Sequence, residues 1–357
     1  MAHQWRGVIR EYFDRLDVDS STPIITLGEG GTPLIEAPSL AKLVGADQMY
    51  LKYEGMNPTG SFKDRGMTMA VSKAVGEGAK AVICASTGNT SASAAAYAAA
   101  AGITSVVLVP QGKISLGKLS QAVAHKAKIL QVQGNFDDCL TLARDLSDNY
   151  PVHLVNSVNP DRIEGQKTGA FEVFDSLGRA PDYHVLPVGN AGNYSAYFKG
   201  YLEDFNEGRI KVVPKMYGYQ AEGSAPFVHG GPVKNPDTIA TAIRIGNPAS
   251  WDLAQSAMEC SMGKFGAVSD AEILWMHRFL SQEAGVFVEP SSATGAAGIY
   301  KASQQGESFA GALIVVTVTG HGLKDPMWAL KDEAGNEISP EAVSANAAEV
   351  AERLGLA

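Results

Sequence analysis

The chain has 357 residues, of which 45% are apolar and 19% are charged, and its formal net charge is -9. This composition is typical of a globular protein of about two domains, and the negative charge argues against general nucleic-acid binding or attachment to an anionic membrane. The cysteines Cys84, Cys139 and Cys260 fit neither a disulfide framework nor a zinc motif, so we predict no metal site. Residues 1–18 lack the apolar core of a signal peptide, so we predict a cytoplasmic protein.

Short β-rich segments alternate with helical patterns along the chain. The predicted strands lie at 49–53, 81–86, 105–110, 128–133, 152–156, 183–188, 216–220 and 312–319. The predicted helices lie at 61–75, 91–101, 136–149, 161–177, 270–283 and 293–303. This alternation predicts an α/β fold in which helices cover both faces of parallel sheets. The apolar residues of the strands are nearly continuous, as expected for strands buried on both faces.

The segment 57–66, NPTGSFKDRG, follows the first predicted strand and enters a helix. Lys63 falls in the first turn of that helix, where the partial positive charge of the helix N-terminus disfavours a second cation. The apolar neighbour Phe62 also favours the neutral amine. A nucleophilic or Schiff-base lysine needs that neutral form, whereas the alternative is an ordinary solvated surface lysine.

A polar loop, residues 86–90 with the sequence STGNT, follows the buried strand at 81–86. Hydroxyls and amides at the start of a helix can bind a carboxylate or a phosphate. The alternative is ordinary helix capping by Thr90 or Ser91. Capping requires only one such residue, so the run of polar side chains favours a binding loop.

Two further loops follow predicted strands at the end of the sheet where ligands bind in open α/β folds. The loop 189–193, GNAGN, precedes a helix, and its glycines allow a phosphate to approach backbone N–H groups. It matches neither the P-loop nor the dinucleotide fingerprint, and a plain tight turn is the alternative.

The last predicted strand ends at Thr319, which would present its hydroxyl at the same end of the sheet. His321 follows, but a single loop histidine is weak evidence for acid–base catalysis.

The segment 155–171 adds positive charge to this set of loops. Asn156 and Ser157 end a predicted strand, and Arg162 lies near the start of the next helix. A guanidinium is suited to bidentate recognition of an anion. The alternative is a surface ion pair between Arg162 and a neighbouring acidic residue.

The chain resembles the threonine synthase family, a group of pyridoxal-phosphate-dependent enzymes of fold type II that share the tryptophan synthase β-subunit fold. Five motifs carry the resemblance, in family order between residues 57 and 326: NPTGSFKDRG, STGNTSASAAAYAAAAG, NSVNPDRIEGQKT, LPVGNAGN and VTVTGHGLKDP. The resemblance implies two open twisted sheets flanked by helices. It also implies a large cofactor-binding domain, residues 1–48 and 156–357, a small mobile domain, residues 49–155, and a homodimer.

The resemblance further implies a role for each matched residue. Lys63 would form the Schiff base with pyridoxal 5'-phosphate, Asn89 would bind the ring hydroxyl, and Thr319 would face the pyridine nitrogen. The cofactor phosphate would lie on Gly189, Asn190, Ala191, Gly192 and Asn193. The substrate carboxylate would lie on Ser86, Thr87 and Thr90. The substrate phosphate would lie on Asn156, Ser157 and Arg162, with Asn190 as an additional ligand. If Arg162 does not bind this phosphate, Lys113 and Lys167 are the next candidates. His321 stands where the family more often has asparagine.

The implied reaction converts O-phospho-L-homoserine and water to L-threonine and phosphate, by γ-elimination and β-addition, as the last step of threonine biosynthesis. A threonine or serine dehydratase is one alternative, although it needs no site for a γ-phosphate. A non-catalytic homologue that binds the cofactor is the other.

Overall fold

The computed structural model describes residues 3–112, 116–332 and 335–356, so the phosphate candidate Lys113 lies outside the described residues. The chain forms two compact units, Met1–Asp325 and Pro326–Ala357. Both sheets belong to the first unit. No helix in the described part of the chain is long and apolar enough to cross a bilayer.

The described residues form ten strands. They are β1 Leu34–Glu36, β2 Gln48–Tyr53, β3 Ala81–Ala85, β4 Thr104–Pro110, β5 Lys128–Val132, β6 Val152–Leu154, β7 Tyr183–Pro187, β8 Lys215–Ala221, β9 Lys264–Val268 and β10 Leu313–Val318.

The helices of the first unit are α1 Val8–Glu11, α2 Pro38–Val44, α3 Lys63–Gly76, α4 Asn89–Ala101, α5 Leu116–Ala124, α6 Phe136–Asn149, α7 Pro160–Leu177, α8 Gly192–Asn206, α9 Pro226–His229, α10 Trp251–Cys260, α11 Asp270–Glu283 and α12 Pro290–Gln304. Short 3-10 helices lie at Phe13–Arg15, Glu54–Met56, Thr241–Ile243 and Gly322–Lys324. The second unit contains a 3-10 turn, Pro326–Trp328, and α13, Ala347–Arg353.

The strands form two separate sheets, as the resemblance implies. The six-stranded sheet has the order β1-β2-β10-β7-β8-β9, and the four-stranded sheet has the order β5-β4-β3-β6. All neighbouring strands are parallel except β1 and β2, which are antiparallel. Strand β2 therefore pairs within the larger sheet, although residues 49–155 were assigned to the small domain. The division into a fixed and a mobile domain stays a prediction.

Burial follows the apolar pattern of the sequence. Every residue of the central strands β3 and β10 is buried, as expected for parallel strands covered on both faces. Strand β5, at one edge of its sheet, is half exposed. Helix α4 is rich in alanine, the best helix former, and its small side chains allow it to pack closely against β3 and β4. It ends at Gly102, whose φ of 69° terminates the helix in the left-handed conformation.

Candidate active site

The loop that carries Lys63 is joined by backbone hydrogen bonds to the loop that follows β10. The N–H of Phe62 donates to the carbonyl of Thr319 at 3.0 Å, and the N–H of His321 donates to the carbonyl of Gly60 at 2.9 Å. Lys63 is the first residue of α3. The predicted Schiff-base lysine and the predicted partner of the pyridine nitrogen therefore lie on adjacent backbone segments.

The Lys63 amine is placed where its protonated form is disfavoured. Its Nζ lies 3.9 Å from the centroid of the Phe62 ring. Desolvation lowers the pKa of Lys63 to about 7, and the positive charge of Arg162 acts in the same direction, whereas Glu289 opposes them. A large fraction of this amine is therefore neutral near pH 7, as the sequence argument predicts for a nucleophile.

Asn89, the first residue of α4, has a buried carboxylate as its partner. Its Nδ2 lies 3.0 Å from Oε1 and 3.2 Å from Oε2 of Glu289. Only 4% of the Glu289 surface is exposed, and burial raises the pKa of its carboxyl group. Glu289 was not among the residues predicted from the sequence, although a Glu-Pro pair is a common start of a helix and Glu289 indeed precedes α12.

The glycine-rich loop 189–193 leads from β7 into α8. Ala191, the N-cap residue of α8, has a φ of 65°, a left-handed conformation that is uncommon for a residue other than glycine. A Cβ at Gly189 would lie 3.0 Å from Cα of Ile243, so this position accepts only glycine without a shift. The side-chain amide of Asn193 is buried, and neither Oδ1 nor Nδ2 has a partner among the described residues. Buried amides are rarely unpaired, so this loop is suited to a polar ligand.

Two asparagines connect the loops around this site. Nδ2 of Asn190 donates to Oγ of Ser157 at 3.4 Å, while its Oδ1 accepts from the N–H of Ala249 at 3.2 Å. Asn156 makes two hydrogen bonds with the backbone of Ala85, at 2.9 Å and 3.0 Å, where β3 ends. Each amide keeps one N–H free of these contacts. The loops that contain the predicted phosphate and carboxylate ligands are therefore adjacent.

Arg162 is a buried cation rather than a member of a surface ion pair. It lies in the first turn of α7 and is 1% exposed. Its Nη1 donates to the carbonyl of Val155 at 3.1 Å, and its Nε has no partner among the described residues. Burial lowers its pKa to about 10, so the guanidinium is charged at neutral pH. A buried cation with an unused donor is suited to an anionic ligand.

Lys167 is less suited to that task. Its Nζ lies 2.7 Å from a carboxylate oxygen of Glu164 and 2.9 Å from one of Glu203. Two carboxylates therefore balance its charge already.

Ser292 forms hydrogen bonds with both the backbone and the side chain of Thr319. It was also not among the residues predicted from the sequence. Oγ of Ser292 accepts from the N–H of Thr319 at 3.1 Å and from the N–H of Gly320 at 2.8 Å, and it lies 2.9 Å from Oγ1 of Thr319. A hydroxyl oxygen has two acceptor lone pairs, so the two N–H groups saturate Ser292 as an acceptor. Its own proton can go to Oγ1 of Thr319 or to the carbonyl of Gly320, which lies 3.3 Å away. The proton of the Thr319 hydroxyl is thereby left for another acceptor.

The polar loop 86–90 does not serve mainly as a helix cap. The N-cap residue of α4 is Gly88, rather than Thr90 or Ser91. Oγ of Ser86 accepts from the N–H of Gly88 at 3.2 Å, and Thr87 is partly exposed. Thr90 is buried in the first turn of the helix. The hydroxyls therefore remain available to a ligand at the start of α4.

A buried ionic network lies behind Lys63 and was not predicted. Arg65 contacts Glu54 through Nε at 2.7 Å and Glu172 through Nη1 at 2.5 Å. Lys52 contacts the same Glu172 at 2.6 Å. Burial alone would raise the pKa of Glu172, but Arg65 and Lys52 lower it to about 2. The network connects β2, α3 and α7, and it fixes the helix that begins with Lys63.

Comparison with known proteins gives one consistent result. Residues 25–320 match the family model described as "Pyridoxal-phosphate dependent enzyme". The chain is 59% identical to the threonine synthase of Mycobacterium tuberculosis, covering 99% of this chain and 98% of that protein. It is 55% identical to the threonine synthase of Synechocystis sp., covering 94% and 88%. It is 48% identical to the threonine synthase of Methanocaldococcus jannaschii, covering 91% and 82%.

Solved structures share the fold at much lower identity. Maize serine racemase aligns with a TM-score of 0.72 and 20% identity, covering 89% of this chain and 94% of that one. The processed form of threonine deaminase isoform 2 from Solanum lycopersicum aligns with a TM-score of 0.69 and 21% identity, covering 81% and 83%. At these identities the likeness is evidence for the fold alone.

Proposed function

We infer that this chain, which belongs to the pyridoxal-phosphate-dependent enzymes and among them to the threonine synthases, converts O-phospho-L-homoserine and water to L-threonine and phosphate. The observation that carries this inference at the site is the Lys63 amine, whose pKa falls to about 7 where the ligand-binding loops meet. The relatives, at 48–59% identity, favour this reaction over that of a serine or threonine dehydratase.

The described residues fit pyridoxal phosphate. The unpaired amide of Asn193, the close packing at Gly189 and the N-terminus of α8 all suit a phosphate group. We propose that residues 189–193 hold that phosphate and that Lys63 holds the cofactor covalently through its amine. We propose further that Asn89 donates to the oxygen of the hydroxyl group on the cofactor ring. When bound, the cofactor withdraws electrons from the substrate carbon that bears the amine.

Lys63 would also move protons during the reaction. When its amine is free, Lys63 would accept the proton from Cα of the substrate. A neutral amine binds one proton at a time, so it would return that proton to the bound substrate before it accepts one from Cβ. General acid–base catalysis works best when the pKa of the group is close to the working pH. A pKa of about 7 meets this requirement, whereas an ordinary lysine would be fully protonated.

Thr319 would face the pyridine nitrogen as a hydrogen-bond donor. Two backbone N–H groups already saturate Oγ of Ser292 as an acceptor, so the Thr319 proton is free for the ring. A hydroxyl donor leaves the ring nitrogen without a formal positive charge, unlike a carboxylate partner. This distinction would moderate the electron withdrawal by the ring.

The substrate anions need local positive charge and N–H donors, because the chain as a whole is acidic. We propose that Ser86, Thr87 and Thr90 bind the carboxylate at the start of α4. We propose that Arg162, with Asn156 and Ser157, binds the γ-phosphate. The buried guanidinium and its unpaired Nε support this assignment.

The proposals for the cellular and quaternary context are based on the same family membership. We propose that the protein acts in the cytoplasm as a homodimer and that residues 49–155 move as a small domain that closes over the bound substrate. Closure would exclude water until phosphate has left. Sedimentation velocity tests the dimer, and solution scattering with and without a phosphonate analogue of the substrate tests the closure.

The direct test of the reaction is to incubate the cofactor-loaded protein with O-phospho-L-homoserine and to measure threonine and phosphate. We expect equal amounts of both products, and none from Lys63→Ala. Release of 2-oxobutanoate from threonine, without use of phosphohomoserine, would indicate a dehydratase instead. A coloured protein that produced neither would be a non-catalytic homologue.

A further inference from the structure

Glu289 is a buried acidic side chain to which the proposed function assigns no role. It is the N-cap residue of α12, yet its side chain makes no capping hydrogen bond to that helix. The carboxylate instead accepts from Nδ2 of Asn89. An acidic residue at the start of a helix usually stabilises that helix. The Glu289 side chain instead binds a residue at the start of α4.

The position of the Glu289 carboxylate is fixed from several sides. Its backbone N–H donates to the carbonyl of Gly320 at 3.1 Å, and its own carbonyl accepts from the N–H of Ser292 at 2.9 Å. A Cβ at Gly320 would lie 2.4 Å from Oε1 of Glu289. Glycine at position 320 therefore leaves room for the carboxylate, which explains why the motif has a glycine directly after Thr319.

Glu289 and Lys63 also influence the pKa values of one another through their charges. The charged groups that act on Glu289 among the described residues are Lys324, Lys63 and Asp325. Its negative charge in turn favours the protonated form of Lys63, against desolvation and Arg162. The carboxylate thus binds the amide of Asn89 and also acts electrostatically on the amine of Lys63.

We propose that Glu289 is a positioning residue that fixes the orientation of the Asn89 amide for the cofactor, a role that rests on the proposed function of Asn89. Asn89, Lys324 and Lys63 oppose the effect of burial on the pKa of Glu289 and so favour its ionised form. In that form the carboxylate can only accept hydrogen bonds, so it holds the amide with its nitrogen toward Glu289. The amide nitrogen has two N–H groups, and the second remains for the ring oxygen of the cofactor, which is an acceptor. Without Glu289, the amide could rotate and present its oxygen to that acceptor, which would repel it.

A double-mutant cycle tests whether Glu289 acts through Asn89. The readouts are the dissociation constant of pyridoxal phosphate, from absorbance titration of the resolved enzyme, and the pH midpoint of the visible absorbance of the holoenzyme. We expect Asn89→Ala and Glu289→Ala each to raise the dissociation constant by about three- to thirtyfold, the effect of one lost hydrogen bond. Both should shift the midpoint. The double variant should bind the cofactor about as well as Asn89→Ala alone.

Glu289→Gln separates orientation from charge. It keeps an acceptor oxygen for Asn89, so the cofactor should bind more tightly than in Glu289→Ala. It removes the negative charge near Lys63, so the pH midpoint should still shift. Glu283→Ala, at an exposed position that ends α11, is the matched control and should change neither readout. Thermal unfolding of each variant without cofactor verifies that it folds.

Three outcomes would overturn the proposal. One is a double variant whose effect equals the product of the single effects, because Glu289 would then act independently of Asn89. Another is a folded Glu289→Ala variant with an unchanged dissociation constant and pH midpoint. The third is an Asn89→Ala variant that binds the cofactor normally, which would refute the role of Asn89 itself. Formation of threonine and phosphate by the wild-type protein tests the reaction separately from all three.

Discussion

Arg65 and Glu172 form a bidentate pair, in which Nη1 donates to Oε1 at 2.5 Å and Nη2 donates to Oε2 at 2.7 Å. Both side chains are buried, and the same guanidinium contacts Glu54. The pair joins α3, two residues after Lys63, to α7. The position of the site lysine therefore depends on a buried ion pair between its own helix and α7.

Arg65→Ala should destabilise the protein strongly. It leaves the buried carboxylate of Glu54 without its cation and Glu172 with Lys52 alone, and breaking a buried ion pair in this way typically costs about 3–5 kcal/mol. Urea denaturation measures the loss. Arg179→Ala removes an exposed partner of Asp182 and should cost less than about 1 kcal/mol. Equal losses for the two variants would contradict the importance of the buried network.

Ser292→Ala should impair the enzyme through Thr319. The hydroxyl of Thr319 would lose its contact with Oγ of Ser292, and two backbone N–H groups would lose their acceptor. We expect a fall in kcat of about tenfold and a loss of stability of about 1–3 kcal/mol. Ser303→Ala, farther along the same helix, removes only a bond to the carbonyl of Tyr300 and should keep kcat. A normal kcat in Ser292→Ala would show that Thr319 does not need this contact.

The lowered pKa of Lys63 predicts a pH-dependent stability of the cofactor-free protein. The pKa is about 7 in the folded state, against an ordinary value of 10.5. Between these values the unfolded chain binds more protons at this site, so the contribution of Lys63 to stability rises with pH across that window. At pH 7 Lys63→Met should therefore be more stable than the wild type, by up to a few kcal/mol.

Urea denaturation at several pH values measures this difference. The stability advantage of Lys63→Met should shrink steadily from pH 7 toward pH 10. Lys42→Met, at an exposed position, controls for general effects of alkaline pH on the protein. An advantage that stayed constant with pH would mean that the Lys63 amine is protonated throughout that range in the folded state.

Arg162→Ala should reduce the use of phosphohomoserine far more than the binding of the cofactor. The buried guanidinium is the proposed partner of the γ-phosphate, and a charge-assisted hydrogen bond contributes about 1.5–3 kcal/mol. Loss of one or two such bonds should lower kcat/KM by about tenfold to a thousandfold, because each ~1.4 kcal/mol is a factor of ten. Arg144→Ala, on the exposed surface of α6, is the control.

Kinetics with phosphohomoserine and the visible absorbance of the same preparations decide the role of Arg162. Unchanged kcat/KM would place the substrate phosphate elsewhere. Loss of the visible absorbance would mean that Arg162 supports the cofactor or the fold instead.

Helices with strong local signals could be predicted from the sequence. The predicted bounds of α6 and α11 agree with the structure, because each begins with a capping box. The start of α12 was placed too late, at 293 instead of Pro290, because small polar residues in its first turn weaken the apolar pattern. Strand β1 has only three residues and β9 is mostly half-buried, so neither has a distinct apolar run.

The loops of the candidate site could be proposed from their sequence motifs, but several of their internal partners could not. The resemblance names Asn89 and Thr319 because their motifs are local in sequence. Glu289 and Ser292 act on them from a distant helix, and their own neighbourhood resembles an ordinary helix start. Contacts between segments far apart in the chain depend on the tertiary fold, which periodicity does not describe.

The hydrogen bonds that join Gly60 to His321 and Phe62 to Thr319 have a consequence for biosynthesis of the protein. A ribosome completes residue 60 long before it reaches residue 319, and the emerging domains fold in order from the N-terminus. A nascent chain that has not yet exposed its last strand lacks the backbone partners that set the lysine in place. Stable capture of the vitamin-derived cofactor should therefore be a post-translational event, which follows release of nearly the whole polypeptide.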